Sequence, residues 1–250
     1  MLKDSILVGY VTGNEVDRAF MASVFNFMSH DAANRKLVLG LGDQPGLYVD
    51  DNRNNLIRKI LPAPFEWFLS LDTDIVFKPE VPYLLLDWAK QRGEKIVSAL
   101  YFTFLHNGAV KPCWFNNADN GSVRNIGEIV IGQAYPLAAV GMGCALIHRS
   151  VFEAFLTEPA FANDTWTWFG RDLYGPPTDT AHTGEDISFC RRAAKLGFPT
   201  WGLTTAIVTH CKRFEIDFDV FRILYEANYK DVRGIEMGPV EKTLLARVSE

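Results

Sequence analysis

The sequence predicts an α/β fold with a doubly wound, mostly parallel β-sheet flanked by helices. Apolar, β-branched segments alternate with segments whose apolar residues recur at helical spacing, and this alternation places successive strands parallel. The 250-residue chain is 48% hydrophobic and 22% charged, which is the composition of a globular protein with a substantial core. In such sheets, ligands bind at the carboxyl ends of the strands.

The first five elements carry the clearest pattern. Apolar runs predict buried strands over Ser5–Val11, Lys36–Leu41 and Trp67–Leu71. Helical spacing predicts helices over Arg18–His30 and Asn52–Leu61, the second of which ends at a proline.

The rest of the chain alternates less regularly. We expect a looped region over Phe104–Glu128 and a long loop, rich in aromatic residues, glycine and proline, over Phe161–Thr183, which is typical of a lid. Predicted helices cover Val81–Gln91, Ser150–Leu156 (capped by Ser150), Gly184–Leu196, Asp217–Lys230 and Pro239–Val248, and predicted strands cover Lys95–Phe102, Glu128–Ile131, Ala145–His148 and part of Thr200–Thr209. Residues 1–213 are expected to form one domain, and 214–250 a C-terminal helical extension.

Charge and cysteine usage narrow the function classes. The formal net charge of −5 argues against sequence-independent nucleic-acid binding, which needs a basic field. The four cysteines have neither a CxxC pair nor zinc-finger spacing, so we expect reduced thiols. The N-terminus lacks the apolar segment of a signal peptide, and no apolar run approaches the ~20 residues of a membrane span. We therefore expect a cytoplasmic protein.

Asp72-Thr73-Asp74 directly follows the strand WFLSL. Two carboxylates two residues apart on a turn can face one hard cation, and Mg²⁺ or Mn²⁺ prefers carboxylate and diphosphate oxygens. The alternative for such a pattern is a solvated turn or a helix cap. The position at a strand end favours the metal interpretation.

Gly184-Glu185-Asp186 begins a predicted helix after the long loop. Acids here could simply stabilise the helix N-terminus. The functional interpretation makes one acid a general base near an acceptor hydroxyl.

His210 ends the strand-like TTAIVTH. A lone histidine is usually structural, but one at a strand end could supply a nitrogen ligand to a Mn²⁺-type ion. Lys212 and Arg213 follow and could hold phosphates, or they could form an ordinary basic loop.

The aromatic loop contains Trp166, Trp168 and Phe169. Tryptophan rings offer platforms for the C–H faces of sugars. The alternative is that these rings pack the loop against the body of the protein, and for the two tryptophans the sequence leaves both interpretations open.

Three stretches in this order, LDTDI, TGEDISFCRRAAKLGF and THCKRF, resemble the GT-A glycosyltransferases, in particular short family-2-like members from bacteria and phages. The resemblance covers roughly Ile6 to Arg213. It implies a GT-A (Rossmann-like) fold and metal-dependent transfer of a sugar from a nucleotide-sugar, with Mn²⁺ or Mg²⁺ as cofactor.

The resemblance also implies roles for individual residues. Asp74 contacts the metal, Asp72 contacts the metal or the ribose, and His210 completes the metal site. Asp186 acts as the catalytic base of an inverting reaction, with Glu185 orienting the sugar or acceptor.

Further residues match the nucleotide-sugar side of the family's site. Thr12 and Gly13 border the nucleotide, and Arg53 and Asn54 contact the nucleotide-sugar. The stretch GMGC, which contains Gly143, lines the sugar and acceptor side. Trp166 and Trp168 are candidates for the same side on the chemistry of their rings alone.

The sequence departs from the family at two points. It has no Q-x-x-R-W, the mark of processive synthases, so single sugar additions are expected. Asp43 is the one possible contact to the nucleotide base, so both UDP- and GDP-sugars stay open as donors. Retention of the anomeric configuration also stays open, because the same metal-site pattern occurs in retaining enzymes.

The acceptor and two competing functions stay open. A glycan, a lipid-linked sugar, a protein and a modified nucleobase are all compatible acceptors, and the sequence does not indicate the oligomeric state. A sugar nucleotidyltransferase would need a glycine-rich, basic N-terminal signature, which VGYVTGNEVDR is not. A non-catalytic nucleotide-sugar-binding module would tolerate loss of the acids.

Overall fold

The computed structural model describes residues 2–13, 15–104, 110–163, 165–174 and 181–212. The chain divides into one compact unit of residues 1–102 and 112–211, and a second of residues 103–111 and 212–250. The description below concerns the first unit. The helices predicted over Asp217–Lys230 and Pro239–Val248 lie outside the described residues, and the domain boundary after residue 213 stays a prediction.

A seven-stranded sheet forms the centre of the unit. Its strands, numbered along the chain and given from one edge to the other, are β10 (Ala134–Leu137), β15 (Thr200–Ile207), β5 (Ile96–Leu100), β12 (Cys144–His148), β3 (Trp67–Asp72), β1 (Ile6–Thr12) and β2 (Val38–Pro45). β2, β1, β3, β5 and β15 run in one direction, and β12 and β10 run against them. The predicted α/β fold with a mostly parallel sheet is confirmed.

Helices cover both faces of this sheet. They are α1 (Arg18–Ala33), α2 (Val49–Ile60), α3 (Val81–Arg92), α4 (Arg149–Leu156), the single turn α5 (Pro159–Ala162) and α6 (Glu185–Lys195). Because side chains alternate along a strand, Ile6 and Val8 join the apolar cluster under α1 and α3, whereas Leu7 joins the cluster under α2, α4 and α6. Within the described ranges, no helix combines the length and apolar character needed to cross a bilayer.

Shorter strands form separate small sheets. They are β4 (Ile75–Val76) with β16 (Thr209–His210), β8 (Trp114–Asn117) with β9 (Val123–Asn125) and β11 (Ala139–Val140), β6 (Phe102–Phe104) with β7 (Val110–Pro112), and β13 (Leu173–Tyr174) with β14 (Ala181–His182). The purely looped region expected over Phe104–Glu128 is therefore wrong, since three short strands lie within it.

Three further local predictions are corrected. The strand predicted over Glu128–Ile131 is not formed, and the chain enters the sheet later, at β10. The buried strand predicted over Lys36–Leu41 is the edge strand β2 of the described sheet, in which Leu41 is 46% exposed. Helix α4 is capped by the ring of His148, which accepts a hydrogen bond from the backbone N–H of Ser150, rather than by Ser150 itself.

Candidate functional site

The Asp72-Thr73-Asp74 turn lies at the carboxyl edge of the sheet, where β1 and β3 end side by side. Val11 pairs with Asp72 in the parallel register. The backbone N–H of Asp17, in the segment after β1, donates to the carbonyl of Thr73 at 3.1 Å. The structure thus brings Thr12 and the exposed Gly13 beside the acidic turn, while their contact with a nucleotide stays a prediction.

Asp74 and His210 meet because β4 and β16 pair, with His210 opposite Ile75. The ring Nε2 of His210 lies 3.1 Å from Oδ2 of Asp74, and its Nδ1 lies 2.9 Å from the carbonyl oxygen of Phe102. Both ring nitrogens therefore face oxygen acceptors. Nε2 and the Asp74 carboxylate are close enough to contact one cation together.

This donor set fits a divalent cation that also takes ligands from its substrate. Within the described residues, no group of three or more His, Cys, Asp or Glu side chains is arranged to hold a metal by itself. Mg²⁺ and similar ions are commonly held by one or two carboxylates plus substrate phosphates. Asp74 and His210, with Asp72 two residues upstream, offer oxygen and nitrogen ligands of that kind.

Arg53 connects the acidic turn to the second acidic motif. Its side chain projects from α2 and is 5% exposed. One guanidinium nitrogen donates to Oδ1 of Asp72 at 2.5 Å, and the other donates to the carboxylate of Glu185. The guanidinium carbon lies 5.8 Å from the ring centre of Phe169. Arg53 thus joins α2, the end of β3 and the start of α6.

The charge balance around Arg53 favours its protonated form. Burial alone would lower the pKa of Arg53, but the carboxylates of Asp72, Glu185 and Asp186 outweigh burial and raise the pKa above its usual value. One buried cation therefore holds two acids in place, with a third carboxylate close by.

Asn54, the next residue, contacts the backbone of the aromatic loop. Its amide nitrogen donates to the carbonyl of Phe169 at 2.5 Å, and its amide oxygen accepts from the Phe169 N–H at 3.0 Å. Both amide ends of this buried side chain are thus occupied by the loop. The predicted contact of Asn54 with a nucleotide-sugar would need these bonds to open, and it stays a prediction.

Asp186 lies in the first turn of α6, beside Glu185. Its Oδ1 accepts from the backbone N–H of Ile187 at 2.7 Å. Burial, followed by the negative charge of Glu185, raises the pKa of Asp186 to about 6, although Arg53 acts in the opposite direction. A carboxylate with this pKa is suited to accepting a proton near neutral pH. Glu185 and Asp186 both lie in the first turn of α6, so they also interact favourably with the helix dipole, as the structural alternative predicts.

Tyr101 is a site residue that sequence reasoning missed. Its hydroxyl accepts a hydrogen bond from the Gly143 N–H at 3.0 Å, and its ring meets the ring of His210 edge-on at 5.5 Å. A Cβ at Gly143 would lie 2.9 Å from this hydroxyl and 3.1 Å from Oδ2 of Asp72. The glycine therefore allows the close approach. Only the strand-end position of Tyr101 could have indicated its role from sequence.

The two tryptophans of the aromatic loop differ. Trp168 is 2% exposed, and its indole N–H donates to the carbonyl of Phe152 at 3.0 Å. Its predicted sugar-binding role is therefore corrected to packing, because neither ring face is accessible. Trp166 is partly exposed and lines a groove beside α6. Lys212 belongs to the second unit, and its predicted phosphate contact stays a prediction.

Comparison with known proteins gives similarity of fold. No family model and no curated protein sequence matches the chain. Among solved structures, A197 from STIV is similar with a TM-score of 0.54 and 14% identity, over 84% of this chain and 86% of that one. GalNAc-T7, solved with UDP, GalNAc and Mn²⁺, is similar with a TM-score of 0.56 and 12% identity, over 84% of this chain and 44% of that one. The chain therefore spans less than half the length of GalNAc-T7. The protein has a GT-A-like fold.

Proposed function

We propose that the protein is a metal-dependent glycosyltransferase that moves one sugar from a nucleoside-diphosphate sugar to an acceptor hydroxyl. The observation that supports this best is the convergence of acids from distant segments. Asp72 and Glu185 share buried Arg53, and Asp186 lies beside them with a raised pKa. Like charges held together in a partly buried site cost stability, so such clusters are typical of functional sites.

In the proposed reaction, Asp186 takes the proton of the acceptor hydroxyl. The acceptor oxygen forms a bond to the anomeric carbon while the bond from that carbon to the diphosphate oxygen breaks, and the electron pair leaves with the nucleoside diphosphate. Attack opposite the leaving group inverts the anomeric configuration. A product with the configuration of the donor would exclude Asp186 as the base of a direct displacement.

Other residues of the site position the reactants. Asp74 and His210 would hold Mn²⁺ or Mg²⁺, with Asp72 at the ion or at the ribose. When bound, the ion neutralises the negative charge that develops on the diphosphate. Arg53 keeps Glu185 facing the sugar and acceptor side, and Gly143 leaves room there beside Tyr101 and Asp72.

The donor is proposed to be a UDP- or GDP-sugar. The structurally similar GalNAc-T7 carries UDP and Mn²⁺, which favours screening UDP-sugars first. The acceptor class is open among glycans, lipid-linked sugars, proteins and modified nucleobases. A sugar nucleotidyltransferase and a non-catalytic binding module are the competing functions.

The deciding experiment is a donor screen with and without Mn²⁺, with native protein and the Asp74→Ala variant. We expect one nucleotide-sugar to release its nucleoside diphosphate slowly, and both chelation and Asp74→Ala to abolish the release. The matched control is Asp119→Ala, which removes an exposed carboxylate of the β8–β9 turn. Release of pyrophosphate from a nucleoside triphosphate and a sugar phosphate would instead identify a nucleotidyltransferase. Metal-dependent donor binding without turnover, in the presence of a broad acceptor set, would favour the non-catalytic module.

A further inference from the structure

A groove of about 930 Å³ runs beside the second half of α6, separate from the residues assigned to the donor and the metal. Its volume is at the upper end of the range of small-ligand sites. It lies between the aromatic loop, the end of β8 and α6. The residues that matter for its chemistry are Asn116, Asn117, Trp166, Asp172, Arg191 and Lys195.

The groove carries positive charge in an acidic protein. Its one carboxylate, Asp172, is already paired with buried Arg192. Arg191 donates to a neutral backbone carbonyl, that of Gly121, at 2.6 Å. Across the described part of the chain, no carboxylate lies within salt-bridge distance of Arg191 or Lys195. Among the described residues, therefore, Arg191 and Lys195 are two cations of the groove without a carboxylate partner.

The uncharged lining is suited to a sugar chain. Asn116 and Asn117 are exposed at the end of β8 and offer both amide donors and acceptors. Trp166 offers a partly exposed ring, with the ammonium of Lys195 5.5 Å from the ring centre. Amide side chains beside an aromatic ring match the alternating hydroxyls and C–H faces of a carbohydrate.

The groove is connected to the candidate base along one helix. Arg191 lies five residues after Asp186 in α6, which corresponds to a rise of about 7.5 Å. Asp172, in the wall of the groove, also contacts the segment before α6: its carbonyl accepts a hydrogen bond from the Thr183 N–H at 2.8 Å. Asp186 and Arg191 lie about 140° apart around the helix axis. Only a ligand long enough to pass from one face of α6 to the other would therefore contact both, with charge along α6 changing from acidic to basic.

We propose that this groove binds the acceptor, and that the acceptor is an oligosaccharide carrying carboxylate or phosphate groups. The assignment rests on the proposed glycosyltransferase function. The neutral hydroxyl that reacts would face Asp186, where an anionic group would be repelled, and the anionic group further along the chain would face Arg191 and Lys195. A nucleic-acid strand fits less well, because it carries one charge per nucleotide and needs a longer basic track.

The test measures binding of two tetrasaccharides by calorimetry at low ionic strength, without donor. Tetragalacturonate carries carboxylates, and maltotetraose is its neutral α-1,4-linked counterpart. We expect native protein to bind tetragalacturonate at least tenfold more tightly than maltotetraose, and the Arg191→Glu/Lys195→Glu variant to lose at least tenfold in affinity for tetragalacturonate. Added salt should weaken binding to the native protein, since the attraction is between charges.

The matched control is Lys3→Glu/Lys36→Glu, which reverses the same charge at two exposed positions before β1 and β2. It should bind tetragalacturonate as native protein does, and circular dichroism should show native helix content and melting for both variants. Equal affinity for the two tetrasaccharides, or the same loss in both variants, would overturn the proposal. Tighter binding of a single-stranded thymidine oligonucleotide that depends on Arg191 and Lys195 would also overturn it.

This outcome is separable from that of the donor screen. Acidic-glycan binding without donor turnover would support the proposed binding of an acidic oligosaccharide in the groove and contradict the proposed glycosyltransferase function. Turnover without acidic-glycan binding would uphold the transferase and contradict the groove.

Discussion

At the residue scale, Asp186 is both the proposed catalytic base and a carboxyl group with a raised pKa. A single substitution can test both properties. The raised pKa means that the folded protein holds this proton more tightly than the unfolded chain does, so ionisation of Asp186 costs stability as pH rises from about 4 to about 6. Asp186→Asn keeps an oxygen for the Ile187 N–H but removes the charge. We expect the variant to lose sugar transfer and to be about 1–3 kcal/mol more stable than native protein at pH 7.

Urea unfolding at pH 7 and pH 4 checks this expectation. At pH 4 the gain should vanish, because Asp186 is then protonated in the native protein as well. An Asp186→Asn variant that is no more stable at pH 7 would show that the site does not raise the pKa of Asp186.

The same pKa sets a pH dependence for the reaction. The logarithm of kcat/KM should rise with a slope of one below pH 6 and level off above it, because the base must be ionised. The profile would be measured with saturating Mn²⁺ and the donor found in the screen. A flat profile between pH 5 and 8 would contradict Asp186 as the base.

Loss of the Arg53 side chain should lower stability markedly. Arg53→Met leaves Asp72 and Glu185 without their shared cation, and breaking a buried ion pair from one side costs about 3–5 kcal/mol. Adding Glu185→Gln should recover part of the loss, because one unpaired charge is removed. Denaturant unfolding gives the free energy of unfolding of both variants. A decrease of less than about 1 kcal/mol for Arg53→Met would show that water replaces the guanidinium.

At the scale of elements, the glycines after β11 allow Tyr101 to reach the site. A Cβ at Gly141 would collide with the Tyr101 hydroxyl. We expect Gly141→Ala to destabilise the protein by about 1–3 kcal/mol and to lower transfer activity, because Tyr101 contacts both Gly143 and His210. Gly40→Ala is the matched control, since a Cβ there meets nothing within 4 Å, and its melting temperature should equal that of native protein.

The strand and helix pattern was predictable where local sequence decides structure. The apolar runs of β1 and β3 and the spacing in α1 and α3 are local signals, and the predictions agree with the structure within a few residues. The position of β2 at the sheet edge is not a local property, so its apolar run predicts a buried strand. The same limit applies to β12, whose antiparallel insertion between β3 and β5 depends on which strands meet in space.

The candidate site was predictable as a set of segments but not as contacts. Strand-end acids and a strand-end histidine are visible in sequence, and Asp74 and His210 do meet. Arg53 contacts Asp72, which lies 19 positions later in the sequence, and Glu185, which lies 132 positions later. No sequence-spacing rule predicts such contacts. Trp166 and Trp168 are two residues apart with the same chemistry, and only the packed structure separates a groove residue from a core residue.

At the scale of the whole molecule, ligand binding should be visible as stability. A ligand that binds only the folded protein stabilises it by about 2.7 kcal/mol at a concentration of 100 Kd. We expect Mn²⁺ together with UDP or GDP to raise Tm by roughly 5 °C or more, and either component alone to raise it much less. The shift should be absent in Asp74→Ala, whereas an equal shift in that variant would place the nucleotide away from the acidic turn.

The position of β15 has a consequence for biosynthesis. This strand, Thr200–Ile207, lies between β5 and β10 in the sheet, and the histidine that meets Asp74 follows it. In a chain emerging from the ribosome, β5, which ends at Leu100, therefore keeps an open edge until synthesis has reached β15, which begins at Thr200. Domains with such distant pairings fold slowly and expose strand edges meanwhile. We infer that the cation site forms only after nearly the whole compact unit has been synthesised, so incomplete chains would lack the site.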